Sequence, residues 1–233
     1  MTKTFKVLAA LLCYPTREIC DAARDFRGVL NEEGLVAGPD LTALGELAAE
    51  LSERDLYALQ ERYVELFDRS RSLSLHLFEH VHGESRDRGQ AMVDLKALYE
   101  QSGLEPPANE LPDFLPLFLE YLSTQELADA RALLGEAVHV LDALADRLRK
   151  RESVYASVFG ALGQIADRHA ALDDAEVETP AEEDQSLEAI DKAWEEEQVI
   201  FGPDPNAGCP VAKDMLSQMA VPPATNPSKG DRP

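Results

Sequence analysis

Apolar residues recur along this chain at helical spacing. Phe5, Leu8, Leu11 and Leu12 share one face of a first helix, which Pro15 stops. Thr16 is placed to cap a second helix, whose Ile19, Ala23, Phe26 and Leu30 fall at i, i+4, i+7 and i+11. Residues 34–39 break that run, and Asp40 is placed to cap a third helix with Leu41, Leu44, Leu47 and Leu51 on one stripe. Ser52 and Asp55, three apart, have the form of a capping box. They would open a fourth helix with Leu56, Leu59, Tyr63, Leu66 and Phe67. After Thr124 the spacing of Leu127, Leu134, Val138, Leu141, Leu144 and Leu148 predicts one long helix. Glu152 and Ser153 would open a last one, through Val154, Val158, Leu162 and Ile165. No alternating strand pattern and no internal repeat is visible. The expected class is all-α, a single-domain helical bundle over residues 1–172.

From Asp173 the pattern changes. Residues 173–201 read as an acidic linker in which Leu187, Ile190 and Trp194 could form one short amphipathic helix. Residues 202–233, with their prolines and small side chains, read as a disordered tail.

Charge narrows the partners. The chain has 233 residues, 22 basic and 44 acidic, for a net charge of −22. That argues against nucleic acid and against stable association with an anionic membrane surface, and it favours a basic partner. Half of the excess lies in residues 173–198, which hold 12 acidic residues and one lysine. Cys13, Cys20 and Cys209 have no C-x-x-C spacing, so a disulfide framework is not expected and a reducing cytoplasm fits. Lys3 and Lys6 precede a short apolar run, but it lacks a small-residue cleavage site, so a secretory signal is not expected. No run reaches the ~20 apolar residues of a membrane span.

The densest chemistry lies in residues 76–121. An apolar run there carries His76, His80 and His82, followed by a charged turn, residues 83–89, with Glu84, Arg86, Asp87 and Arg88. His76-Leu-Phe-Glu79-His80 matches the H-x-x-E-H motif. On a helix the two histidines would share a face and reach a zinc ion, with Glu79 as general base. The motif fixes only three residues and names no third ligand, so the histidines read equally as packed or groove residues. Residues 83–89 lack the lysine of a phosphate-binding loop. Arg86, Asp87 and Arg88 read either as a solvated turn or as forks that hold a client. Met92, Leu95 and Tyr99 form one stripe, and Leu117 and Tyr121 form another. The second helix is apolar almost all round, which requires either full burial or a contact on its second side. Pro112 suits its first turn. Nothing is arranged as a catalytic nucleophile site.

The run FEHVHGESRDRGQAM (residues 78–92) resembles the signature of the nitrate reductase molybdenum-cofactor assembly chaperones, the NarJ type, within the TorD-like redox-enzyme maturation chaperones. YVELFDR (63–69), ELPDFLPLFLEYLS (110–123), RESVY (151–155) and WEEEQV (194–199) match in the same order. One position departs: the family commonly has a His after the Asp of Glu-Leu-Pro-Asp, and here it is Phe114. A role of that imidazole does not carry over.

The resemblance implies a cytoplasmic, non-enzymatic chaperone without cofactor or metal of its own. It would bind the basic N-terminal segment of the nitrate reductase catalytic (alpha) subunit, hold it competent for molybdenum cofactor insertion and delay its membrane docking. Molybdenum cofactor biosynthesis proteins are the further implied partners. The matching motifs place client contact on Tyr63, Phe67, Phe78, His80, His82, Arg86, Asp87, Arg88, Met92 and Asp113. The stripes add Leu95, Tyr99, Leu117, Glu120 and Tyr121, with helices 90–99 and 113–121 as groove walls. A zinc-dependent hydrolase and an adaptor retained in the mature complex are the other readings.

Overall fold

A computed structural model describes residues 1–81, 86–107 and 110–167, with the backbone alone for Arg86 and Asp87. All of these lie within one compact unit, Met1–Glu183. The expected acidic linker and tail fall outside the described residues.

Among the described residues the regular structure is helical. It comprises α1 (Lys3–Leu12), α2 (Arg17–Glu33), α3 (Gly38–Glu53), α4 (Leu56–Tyr63), α5 (Arg86–Gln101), α6 (Leu115–Thr124), α7 (Leu127–Glu136), α8 (Val138–Lys150) and α9 (Ala156–Ile165). The single extended pairing among the described residues is an isolated antiparallel bridge between His76 and Phe114. α1 packs on α2 and α6, α3 on α2 and α9, and α8 on α9. Phe5, Leu8, Leu11 and Leu12 of α1 and Val158, Phe159, Leu162 and Ile165 of α9 are fully buried, so these two helices form the middle of the core.

Local chemistry explains several helix ends. The Thr16 hydroxyl accepts from the Ile19 amide at 3.3 Å, as expected of an N-cap. Gly34 ends α2 in the left-handed region at φ 62°, where a side chain would be strained. α1 has no cap of its own. Glu33, from the end of α2, accepts from the Lys3 and Thr4 amides at 2.8 and 2.7 Å and from the Thr4 hydroxyl at 2.7 Å. Partial burial would raise the Glu33 carboxyl, but these donors outweigh it and hold it below the usual range. Replacing this cap, Glu33→Ala, is expected to cost about 1 kcal/mol and lower the melting temperature by about 2–4 °C, read by thermal circular dichroism.

Several expected boundaries move. α3 begins at Gly38 rather than at a cap on Asp40, whose carboxylate instead accepts from Gln164 at 2.7 Å. Ser52 lies inside α3, and Asp55 alone caps α4 by accepting from the Tyr57 and Ala58 amides. α4 continues into a π-helical turn, Val64–Asp68, an arrangement often found at functional sites. The expected long helix after Thr124 is two, because Ala137 at φ −95°, ψ 1° leaves the helical region between α7 and α8. Glu152 adopts φ 53° and α9 opens only at Ala156. α5 starts at Arg86, inside the expected turn 83–89, and α6 starts at Leu115, beyond Pro112.

Candidate functional site

The histidine run is not a helix. His76 is extended, at φ −89° and ψ 107°, and a 3-10 turn spans Leu77–Glu79. The shared helical face that a zinc reading needs does not form. Segment 75–77 instead pairs with segment 113–115. The Leu77 amide donates to the Asp113 carbonyl at 3.0 Å, and the Leu115 amide donates to the Leu75 carbonyl at 2.8 Å.

Asp113 fixes this pairing. Its carboxylate is 0% exposed. It takes His76 Nδ1 at 3.1 Å and the Phe78 amide at 3.2 Å, and the Arg88 guanidinium stands at 3.7 Å. Arg88 also donates to Glu79 Oε1 at 3.2 Å. The hydrogen bond to Asp113 raises His76 above its ordinary value against its partial burial. Burial would raise Glu79 too, but hydrogen bonds from Ser74 and Arg88 and the arginine's charge hold it below the usual carboxylate range. The charges of the cluster thus compensate one another, and its chemistry is positional: α5, the 3-10 turn and the start of α6 are tied together.

His80 faces the other way. It is fully buried, and Nε2 donates to the Ser74 carbonyl at 2.9 Å. Its Nδ1 accepts from Arg147 at 3.4 Å, while the same arginine nitrogen holds the Ser72 carbonyl at 2.8 Å. Burial pushes His80 down, and the arginine charge adds to this, so it is neutral at pH 7. His76 and His80 are therefore bonded to different partners. Among the described residues no group of three or more His, Cys, Asp or Glu converges as metal ligands would.

A cleft of about 320 Å³ opens beside this clamp. Tyr63, Phe67, Leu75 and Phe114 supply its apolar wall, and Asp68, Ser70, Arg71, Ser74, His76 and Glu79 its polar one. The Phe114 ring lies 5.4 Å from the His76 ring. Tyr63 and Phe67 belong to an aromatic ladder on the π-helical turn. Tyr14 meets Tyr63 edge-on at 5.6 Å, Tyr63 meets Phe67 at 5.1 Å, and Phe67 meets the buried Tyr155 at 5.1 Å. The Tyr63 hydroxyl donates to the Leu12 carbonyl at 2.9 Å, which anchors the ladder to α1.

Of the residues named for client contact, Tyr63 and Phe67 reach this cleft, and so do His76 and Glu79 of the H-x-x-E-H run and Phe114. Tyr99 and Tyr121 meet at a tilt, ring centres 5.0 Å apart, inside the domain, 1% and 3% exposed, and the Tyr99 hydroxyl donates to the Pro112 carbonyl at 2.8 Å. With Asp113 and His80 they are spent on internal contacts rather than offered as groove walls. α6 lies on α1, and α5 rests on the 3-10 turn at Leu77–Glu79. Phe78, Arg88, Met92, Leu95 and Leu117 are half-buried, and Glu120 is exposed. His82 and the side chains of Arg86 and Asp87 lie outside the described residues. The sequence did not pair His76 with Asp113 or His80 with Arg147, because each pairing spans tens of residues with no local signal.

Comparison with known proteins bears on this arrangement. A family profile described as the nitrate reductase delta subunit matches residues 37–161. The nitrate reductase molybdenum cofactor assembly chaperone NarJ of Escherichia coli K12 is 43% identical over 205 residues, 87% of this chain and 86% of that one. The probable assembly chaperone NarW of the same strain is 40% identical over 88% of this chain and 86% of that one. The probable NarJ of Bacillus subtilis is 35% identical over 68% of this chain and 85% of that one. A crystal structure of a putative redox enzyme maturation protein from Archaeoglobus fulgidus has the same fold. Its TM-score is 0.50 at 22% identity, over 70% of this chain and 92% of that one. The chain thus belongs to the nitrate reductase delta subunit family, that of the NarJ-type molybdenum cofactor assembly chaperones.

Proposed function

We propose that this protein is a maturation chaperone for respiratory nitrate reductase, acting in the cytoplasm and without catalysis of its own. It binds the basic N-terminal segment of the catalytic alpha subunit, keeps that subunit open for molybdenum cofactor insertion, and delays its docking at the membrane. Molybdenum cofactor biosynthesis proteins meet the client while it is held. The observation that carries this reading is the 43% identity to the Escherichia coli chaperone across most of both chains. Two features agree with it. The acidic chain suits a basic segment. The cleft at Tyr63, Phe67 and Phe114 sets an apolar wall opposite a polar one, so a peptide could be held by side-chain burial and hydrogen bonds together. Among the described residues no helix is long and apolar enough to cross a membrane.

Calorimetric titration with a peptide copying the alpha subunit's N-terminus tests this directly. Saturable one-to-one binding is expected. Phe114→Ala removes a half-buried cleft ring while leaving its backbone bridge, and should weaken binding about tenfold with helical content unchanged. Absence of saturable heat with the parent protein, confirmed by failure to co-elute with the alpha subunit, would rule the reading out.

A further inference from the structure

The cleft beside the clamp is not the whole of the surface around the π-helical turn. A second cleft of about 440 Å³ lies on the other side of that turn, lined by Tyr14, Tyr57, Gln60, Glu61, Val64, Glu65 and Arg69. We propose that this second cleft receives basic side chains of the client segment, so that one peptide crosses the turn and is read on both sides. This rests on the chaperone reading above and adds to it the place where the segment's positive charge is recognised.

Three observations carry the proposal. The first is where the exposed rings are. Large apolar side chains that stand exposed among the described residues are Met1, Tyr14, Tyr57, Val93 and Leu111. Tyr57, 79% exposed, and Tyr14, 46% exposed, both line this cleft. Scattered exposed apolar residues need no explanation, but two rings converging on one concavity do.

The second is the charge between those rings. Tyr57, Glu61 and Glu65 are spaced four apart along α4 and the turn that continues it, so they form one stripe on one face. Glu61 and Glu65 are exposed, and no described residue gives either carboxylate a hydrogen bond or ion pair. Of the other carboxylates nearby, Asp113 and Glu79 are bonded inside the chain, while Asp68 lines the first cleft. Arg69, at the edge of the cleft, has a partner within the chain. With Glu61 and Glu65 against the one guanidinium of Arg69, the lining carries a net negative charge. Rings flanking carboxylates suit lysine and arginine, whose heads are attracted to aromatic faces and whose stems lie along them. The same sign repels phosphate backbones, anionic lipid and a second copy of a chain with net charge −22.

The third is continuity. Tyr14 lines the second cleft, Tyr63 lines the first, and their rings touch edge-on at 5.6 Å. Both clefts flank the same turn, Val64–Asp68. Gln60 donates to the Pro15 carbonyl at 2.9 Å, which holds α4 beside Tyr14 and keeps the second cleft formed.

The test uses the full chain and the alpha-subunit N-terminal peptide, beside a version of that peptide with its lysines and arginines replaced by glutamine. Glu61→Gln/Glu65→Gln should weaken binding of the native peptide about three- to tenfold at low ionic strength and flatten its salt dependence. Tyr57→Ala should weaken it about threefold. Asp129→Asn/Glu136→Gln removes the same charge from exposed positions on α7, and should stay within about twofold of the parent, which separates a local site from the general field. The glutamine peptide should bind more weakly and no longer distinguish parent from Glu61→Gln/Glu65→Gln. If the parent binds the native peptide and the Glu61/Glu65 variant matches either parent or the α7 control, the second cleft is not the site and the chaperone reading survives. If the parent fails to bind the native peptide, both fall. If Tyr57→Ala alters only the oligomeric state, the face is a self-association surface and the proposal is overturned.

Discussion

Asp113→Ala should be among the most damaging single substitutions in the domain, costing about 3–5 kcal/mol and lowering the melting temperature by about 10 °C. The carboxylate is fully buried and serves three donors on two elements: His76, the Phe78 amide and Arg88. Its removal leaves Arg88 half-buried with only Glu79, and leaves the Phe78 amide without its acceptor, so desolvation is no longer offset. Asp113→Asn keeps the shape and one acceptor oxygen and should cost about half as much. A second readout separates the clamp from simple cavity formation. His76 is held above its ordinary value chiefly by the hydrogen bond to Asp113, so the His76 titration followed by NMR should move down in Asp113→Asn. A melting temperature for Asp113→Ala within about 2 °C of the parent would show that the pairing of segments 75–77 and 113–115 does not depend on the carboxylate.

That clamp marks where sequence reading stops. The faces of α1 to α4 were legible because their apolar residues are local and periodic, and Thr16 does what a residue of its type does before a helix. Residues 76–80 were not legible. Their apolar run is too short to separate helix from extended chain, and the deciding partner, Asp113, lies 37 residues away. The break at Ala137 was hidden for a different reason. Two helices that both face one core keep the same apolar rhythm across a kink, so Leu134, Val138 and Leu141 read as continuous. The apolar ring of α6 admitted two meanings, burial or docking. Leu115, Phe118, Leu119, Tyr121 and Leu122 turn out to be core. The second cleft did leave a trace in the sequence. Tyr57 is an aromatic residue on the polar side of a helix whose buried stripe is Leu59 and Tyr63. An aromatic on that side has no packing reason to be there.

Stability should peak in mildly acidic solution, because the two central histidines pull in opposite directions. His80 is depressed by burial below its ordinary value of 6.5. Above that value neither the folded nor the unfolded chain is protonated there, so His80 costs nothing. As pH falls below it the unfolded state binds the proton first, and stability declines until the folded value is reached. His76 is raised above the same ordinary value of 6.5 by Asp113. Its contribution is fully present below the ordinary value and is lost as pH rises through the folded one. Denaturant titrations across pH should therefore show a falling limb on each side of the ordinary histidine value. The two limbs should be separable by substitution. His76→Gln should flatten the alkaline limb. His80→Gln, whose amide can still donate to the Ser74 carbonyl and accept from Arg147, should lessen the acid limb at small cost, leaving the share of His139, which burial also depresses. His80→Ala removes those contacts and leaves a cavity, and should cost about 2–4 kcal/mol at neutral pH. Glu33 and Glu79, both held below the usual carboxylate range, lose their contributions only at lower pH, as it falls through their folded values, so they do not shape this window. If His80→Gln keeps the parent's acid limb between the ordinary histidine and carboxylate ranges, the buried imidazole is not what opens the domain in acid.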